Sequence, residues 1–295
     1  MKVKENKTDR IFDVCNWSCI IIFFLIVLYP LYYIVIASVS DPQEVMNGNV
    51  LFAPAGLTLE GFKRVLAYEG MYIGYKNTVF YTVAGTIINL VVTLAAGYSL
   101  SRPDLYARKF FTSLFVMTMF FSGGLIPTFL IVKSYGMYNT IWPMLLLGAV
   151  NVWNLIITKS FFENNIPVSL LESAQLDGCD DMRFFFKMAL PLSKAIIAVL
   201  TVYYAVGHWN SYFNAFIYLK DEDKFPLQLF LRQILLQNQF NDELSIESSN
   251  SMESMFIAES MKYGMIILST LPILMVYPFV QKFFVQGVMI GAIKG

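Results

Sequence analysis

Charge is scarce in this chain. Asp, Glu, Lys and Arg make up 14% of its 295 residues, where a soluble domain carries about 25%. The deficit, with 57% hydrophobic residues and a mean hydropathy of +0.57, points to a membrane as solvent rather than to a large core. Lys+Arg and Asp+Glu balance at 21 each, so charge gives no reason to expect nucleic acid. There are 3 cysteines, too few and too scattered for a disulfide framework. Cys15 and Cys19 lie one helical turn apart and Cys179 is remote, so all read as isolated thiols. His208 is the sole histidine, which argues against a metal site and against a histidine-based hydrolase. No G-x-x-x-x-G-K-[ST] phosphate loop is present, so the chain is not read as an enzyme and any ATP hydrolysis must come from a partner.

What the chain has is long apolar runs. Six windows contain no Lys, Arg, Asp or Glu: Val14–Ser40, Asn77–Ser101, Phe110–Val132, Ser134–Thr158, Ala195–Leu219 and Tyr263–Gln281. Each supplies the roughly 20 residues that a helix needs to cross about 30 Å of hydrocarbon. A lipid-exposed span must satisfy its own backbone, so helix is expected over strand. The fold class expected is all-α, with six transmembrane helices. The first window is longer than a signal-peptide core and reads as a retained anchor, despite Ala37-Ser38-Val39-Ser40 at its end.

Orientation follows from Lys and Arg. With the N-terminus inside, inner segments hold 13 of the 21 Lys and Arg residues, and both termini are cytoplasmic. Two outer segments are large. Asp41–Lys76 should contain a short helix at Leu59–Tyr68. Lys220–Glu259 opens with Lys-Asp-Glu-Asp-Lys, continues through apolar-periodic Pro226–Gln237 and ends in the acidic, Ser-rich stretch Asn241–Glu253. These segments are either solvated connectors or a docking surface for an external partner. Three regions result: 1–76, with the first span and outer loop; 77–283, the five-helix core with loops 166–191 and 220–259; and the tail 284–295.

The inner segment 166–191 reads as helix, turn, helix. Pro167 suits the first turn of a helix, and Ser169 with Glu172 has capping-box spacing that competes with it. Val168, Leu170, Leu171, Ala174 and Leu176 give the helix an apolar side. Gly178 permits a left-handed turn, and Asp180-Asp181 suits the start of a second helix. Arg183, Phe184, Phe185, Phe186 and Lys187 follow, and Pro191 leads to the next span. A device that transmits a partner's movement must be stiff, and this segment has the makings of one.

The order Glu172-Ser173-Ala174, three residues, Gly178, nine residues, Met188, one residue, Leu190-Pro191 resembles the EAA loop of binding-protein-dependent ABC importer permeases. Ser173 replaces an Ala and Met188 an Ile, both conservatively. Trp209-Asn210 looks like the Trp-Asn of carbohydrate-type permeases. The ending, Gln286-Gly287 through Lys294-Gly295, resembles the short tail of MalG-like subunits. The resemblance covers most of the chain and implies a type I ABC importer permease fold with a cytoplasmic coupling helix. It implies a multi-pass protein of the bacterial cytoplasmic membrane that works by alternating access. Its partners would be a second homologous permease, an ATPase dimer holding ATP and Mg, an external solute-binding protein and a sugar. This chain would bind no cofactor of its own. Glu172, Ser173, Ala174, Asp177, Gly178, Arg183, Leu190 and Pro191 would couple to the ATPase, and Gln286, Gly287 and Lys294 of the tail could reach it.

Polar groups within spans are costly unless they face protein, water or ligand. Asn89, Thr93, Asn151, Asn154, His208, Asn210 and Asn214 are such groups, and Trp153, Trp209 and Tyr212 add the aromatic faces sugars favour. They either line a translocation path or join helices to each other. The resemblance puts the main sugar site in the other permease, leaving this chain to wall the path. Gly97, Gly123-Gly124, Pro127 and Gly207 could permit close contact or bending. Two rival classes remain open. An ion-coupled secondary transporter would need an ionisable group inside a span, and the six windows hold no acidic or basic residue. A non-transporting scaffold would need no alternating access. A permease for a non-sugar solute would share the loop.

Overall fold

A computed structural model describes residues 7–244, 256 and 259–278, and among these there is helix and no strand. The helices are α1 (Lys7–Ser38), α2 (Pro42–Met46), α3 (Glu60–Ala67), α4 (Glu69–Ser101), α5 (Arg108–Phe120), α6 (Leu125–Ser134), α7 (Trp142–Leu146), α8 (Val152–Asn165), α9 (Val168–Leu176), α10 (Asp181–Phe184), α11 (Leu190–Leu192), α12 (Lys194–Trp209), α13 (Phe213–Tyr218) and α14 (Leu227–Leu244). A further helix, α15, runs Glu259–Pro278. The short helix expected at Leu59–Tyr68 is α3, and the apolar-periodic Pro226–Gln237, apart from Pro226, lies in α14. Gln286, Gly287, Lys294 and most of the Asn241–Glu253 stretch lie outside the described residues.

The described residues fall into two compact units, those of Met1–Glu69 with Leu231–Leu271, and those of Gly70–Phe230 with Pro272–Gly295. In the first unit α1 stands almost bare: Ile22, Phe23, Leu25 and Leu31 are each more than half exposed. Such a surface marks a contact with a membrane or with another protein. Ile36 and Ala37 at its C-terminal end pack with Val45 and Val50. In the second unit α4 is the axis, and its Leu94 and Tyr98 join a core with α8, α9, α10 and α12.

Three of the six windows hold an unbroken helix long and apolar enough to cross a membrane: Arg10–Ser38, Glu69–Ser101 and Glu259–Pro278. The other three are broken, contrary to the expectation of one helix per window. In the third, α5 and α6 meet at 114°. Gly124 adopts φ +83° there, which an L side chain resists, so the bend anticipated at Gly123-Gly124 is real. In the fourth, α7 ends at Leu146, Gly148 turns the chain at φ +77°, and α8 runs past the window to Asn165. Asn151 starts α8 by accepting a hydrogen bond from the Asn154 backbone N–H at 3.1 Å. In the fifth, α12 stops at Trp209 and α13 resumes at Phe213. The hydrophobic pattern marks apolar surroundings but cannot say where a helix is cut.

Candidate functional site

The segment 166–191 is a helix, a sharp turn and a second helix. Pro167, not Ser169, precedes the first helical residue of α9 and makes no side-chain cap. The capping box therefore does not form, because proline's fixed φ sets the helix start first. Ser169 instead gives its carbonyl to the Ser173 hydroxyl at 2.8 Å. Gly178 turns the chain at φ +77°. Its N–H and that of Cys179 close back on the Gln175 and Ala174 carbonyls at 3.0 and 2.9 Å. Asp180 then caps α10, its carboxylate accepting from the Arg183 N–H at 2.7 Å. A π-helical turn, Phe185–Ala189, carries α10 into α11. At Ser193 the chain bends by 80° into α12.

One face of this elbow is fixed to the second unit. Leu171, Ala174, Phe184, Phe185 and Ala189 are buried together with Leu94, Tyr98, Phe162, Ile196, Leu200 and Tyr204. The Tyr98 ring lies 5.5 Å from Phe162 and 4.9 Å from Phe185, centroid to centroid. Glu172, Ser173, Asp177, Gly178, Arg183 and Pro191 are exposed, Leu190 is half-buried and Ala174 is buried. Leu176 is 90% exposed rather than part of the apolar face, because α9 ends there and the turn carries it outward. Val168 and Met182 are exposed too, so the outer face mixes carboxylates with bare apolar side chains.

A clamp that sequence reasoning missed holds the elbow to α4. Arg102 follows α4 and is 8% exposed. Its guanidinium donates to both Asp104 carboxylate oxygens at 2.8 Å and to the Tyr98 hydroxyl at 3.0 Å. Its Nη2 also lies 3.1 Å from the Asp181 carboxylate at the start of α10. One planar fork thus ties α4, the following loop and the second arm of the elbow, a geometry a lysine ammonium cannot copy. The bonds to Asp104 raise the Arg102 pKa further and hold the Asp104 carboxyl below the usual carboxylate range. Arg108 adds a second tie, donating to the Ser101 carbonyl at 3.2 Å and to Glu163 of α8 at 3.3 Å. Lys159 meets the same carboxylate at 2.8 Å. In the sequence both arginines are merely inner-side charges. Leu100-Ser101-Arg102-Pro103-Asp104 closing a charge-free window, with Asp181 opening the next inner helix, was the signal available.

The candidate path residues separate into two groups. Along α4, Thr78, Thr82, Gly85, Asn89, Thr93 and Gly97 recur at helical spacing and form a seam. A Cβ on Gly85 would sit 2.4 Å from the His208 ring, and one on Gly97 would sit 2.6 Å from Thr158. His208 Nε2 lies 2.9 Å from Asn89 Oδ1, and Asn89 Nδ2 donates to the Gly148 carbonyl at 3.2 Å. The Thr93 and Tyr204 hydroxyls share a bond of 2.7 Å. Asn154 is 2% exposed and Trp209 8%, the latter edge-on to Tyr75. Asn151, Trp153, Asn210 and Tyr212 are exposed, and Asn214 is half-buried. Gly207 has nothing near its Cβ position, so close helix contact does not explain it. Among the described residues no group of three or more His, Cys, Asp or Glu could hold a metal.

At the far end of α4 the Lys220–Lys224 stretch is tethered. Asn139 Nδ2 donates to the Asp221 carboxylate at 2.7 Å, and its Oδ1 accepts from the Lys220 and Asp221 N–H groups at 2.9 and 3.1 Å. Lys224 meets Asp221 at 2.6 Å. These bonds lower the Asp221 pKa and raise that of Lys224. Tyr81 donates to the Lys224 carbonyl at 2.9 Å and Asn77 to that of Phe225 at 3.0 Å.

Long apolar helices, with a polar elbow between α8 and α12, describe a membrane protein. The comparisons agree. No protein-family profile matches the chain. It is 39% identical to the polygalacturonan/rhamnogalacturonan transport system permease protein YtcP of Bacillus subtilis (strain 168), over 97% of this chain and 99% of that one. It is 38% identical to protein LplC of the same organism, over 99% and 97% respectively. Among solved structures, a chain of a bacterial ABC transporter involved in import of the acidic polysaccharide alginate superposes with a TM-score of 0.86, at 32% identity, covering 96% of this chain and all of that one. The chain belongs to the permease subunits of sugar ABC transporters.

Proposed function

We propose that the chain is one of two permease subunits of an ATP-driven importer for an acidic oligosaccharide. The observation that carries the substrate class is its full-length similarity to a permease named for polygalacturonan and rhamnogalacturonan, together with the alginate importer among its structural neighbours. All three polymers contain uronic acids. The bent pair α5–α6 serves as one span, and so do the interrupted pairs α7–α8 and α12–α13. With α1, α4 and α15 they make six, both termini cytoplasmic. Elbow α9–α10 is the coupling helix, and Glu172, Leu176 and Met182 on its open face meet the ATPase. ATP and Mg belong to that partner. Exposed Asn151, Trp153, Asn210 and Tyr212 wall the sugar path with amides and aromatic faces. Buried Asn89 and half-buried His208 join helices. Tethered loop 220–226 offers the external binding protein a fixed surface.

The test is reconstitution of the whole importer in proteoliposomes with ATP inside and the binding protein outside. Labelled oligogalacturonide should accumulate, and a neutral arabinooligosaccharide should accumulate less. Preference for the neutral sugar would move the substrate class. Uptake driven by an ion gradient without ATP would favour a secondary transporter and overturn the importer reading.

A further inference from the structure

The segment after α1 holds an unusual hairpin. Gly48 and Gly56 both take positive φ, +73° and +60°, and between them Val50-Leu51-Phe52-Ala53-Pro54-Ala55 carries no polar side chain. The hairpin turns back along α1 instead of standing away from it. At its base the Asp41 N–H donates to the Ala55 carbonyl at 2.9 Å and the Ala55 N–H to the Ser40 hydroxyl at 3.2 Å. Towards its tip the Tyr32 hydroxyl donates to the Phe52 carbonyl at 2.7 Å, and the Tyr29 hydroxyl to the Leu51 carbonyl at 3.2 Å. The Phe52 ring lies 5.8 Å from that of Tyr29. Tyr29 precedes the end of α1 at Ser38 by nine residues, or about 13 Å of helix. Val50 is buried against α1, while Leu51 and Phe52 are 56% and 75% exposed.

We propose that Val50–Ala55 is a lipid wedge, seated in the interfacial zone of the leaflet that the C-terminal end of α1 reaches, with Leu51 and Phe52 among the acyl chains. It rests on the reading of α1 as a membrane span. Irregular backbone survives at membrane depth only where its polar groups are met by protein. The Leu51 and Phe52 carbonyls are met by tyrosine hydroxyls, and the Leu51 and Phe52 N–H groups are left to headgroups and interfacial water, which keeps the backbone at the interfacial level while the side chains reach deeper. Tyr29, Tyr32 and Tyr33 mark the interface level, where phenol rings settle. The exposed side chains of the wedge lie beside α1, which is bare on every side between residues 10 and 32. Hydrocarbon covers Leu51 and Phe52.

The test is nitroxide accessibility in proteoliposomes of the whole importer. Labels go one at a time at Phe52→Cys and Leu51→Cys in a Cys15→Ser, Cys19→Ser, Cys179→Ser background. Ile22→Cys reports the middle of α1 and Lys63→Cys reports water. The wedge labels should collide with oxygen several-fold more than with a water-soluble nickel chelate, as Ile22→Cys does. Nickel-dominated collisions, as at Lys63→Cys, overturn the wedge while Ile22→Cys upholds the span. Shielding from both quenchers overturns lipid as the occupant and assigns a protein surface. A water-exposed Ile22→Cys label overturns the membrane reading of α1 and the wedge with it.

Discussion

Replacing Arg102 with Lys keeps the charge but removes the fork that reaches Asp104, Asp181 and the Tyr98 hydroxyl together. Both carboxylates are largely solvated, so the stability lost should be about 1–2 kcal/mol. Transport should suffer more, because the elbow is no longer tied to α4. Thermal unfolding in detergent and uptake in proteoliposomes separate the two effects. Asp104 gives a pH signature. Its folded pKa lies below the ordinary value, so its stabilisation is complete above about pH 4 and fades as pH falls through the depressed value. Asp104→Asn should therefore lower the melting temperature at neutral pH and flatten its decline from about pH 5 to about pH 3. An unchanged acid slope would show that the clamp contributes nothing. The link to Asp181 was not legible in the sequence, where Arg102 and Asp181 stand 79 positions apart. Gly178 and Asp180 could be read, because helix starts and left-handed turns are local chemistry.

Elbow α9–α10 shows where element-scale reading holds and where it stops. Its helix–turn–helix order followed from Pro167, Gly178 and Asp180, each of which sets the backbone by its own covalent geometry or side-chain bond. The capping box and the burial of Leu176 failed, because proline fixed the start and the turn fixed the end. The breaks in the third, fourth and fifth windows were hidden for a related reason: mean hydropathy is blind to a Gly124 or a Gly148 in a left-handed conformation. Gly178→Val isolates the turn. No atom lies within 4 Å of the Cβ position, so the cost is conformational alone, about 1–2 kcal/mol. Membrane insertion should be normal and uptake should fall several-fold. Normal uptake would mean that the turn's shape does not matter to coupling.

At the scale of the whole molecule, the chain is a set of apolar helices with a polar elbow packed on α4, α8 and α12 through the core around Tyr98. Membrane class was legible from the absence of charge, and the family from the ordered Glu172–Pro191 pattern. The sugar was not, since no residue fixes it and the argument rests on similar proteins. The central claim is that a separate ATPase grips the open face of α9. A photo-crosslinking amino acid at Leu176, 90% exposed at the end of that helix, tests it in the native membrane. The account predicts a single major adduct, containing an ABC ATPase identified by mass spectrometry. An adduct with lipid, or with a protein lacking a nucleotide-binding domain, would contradict it.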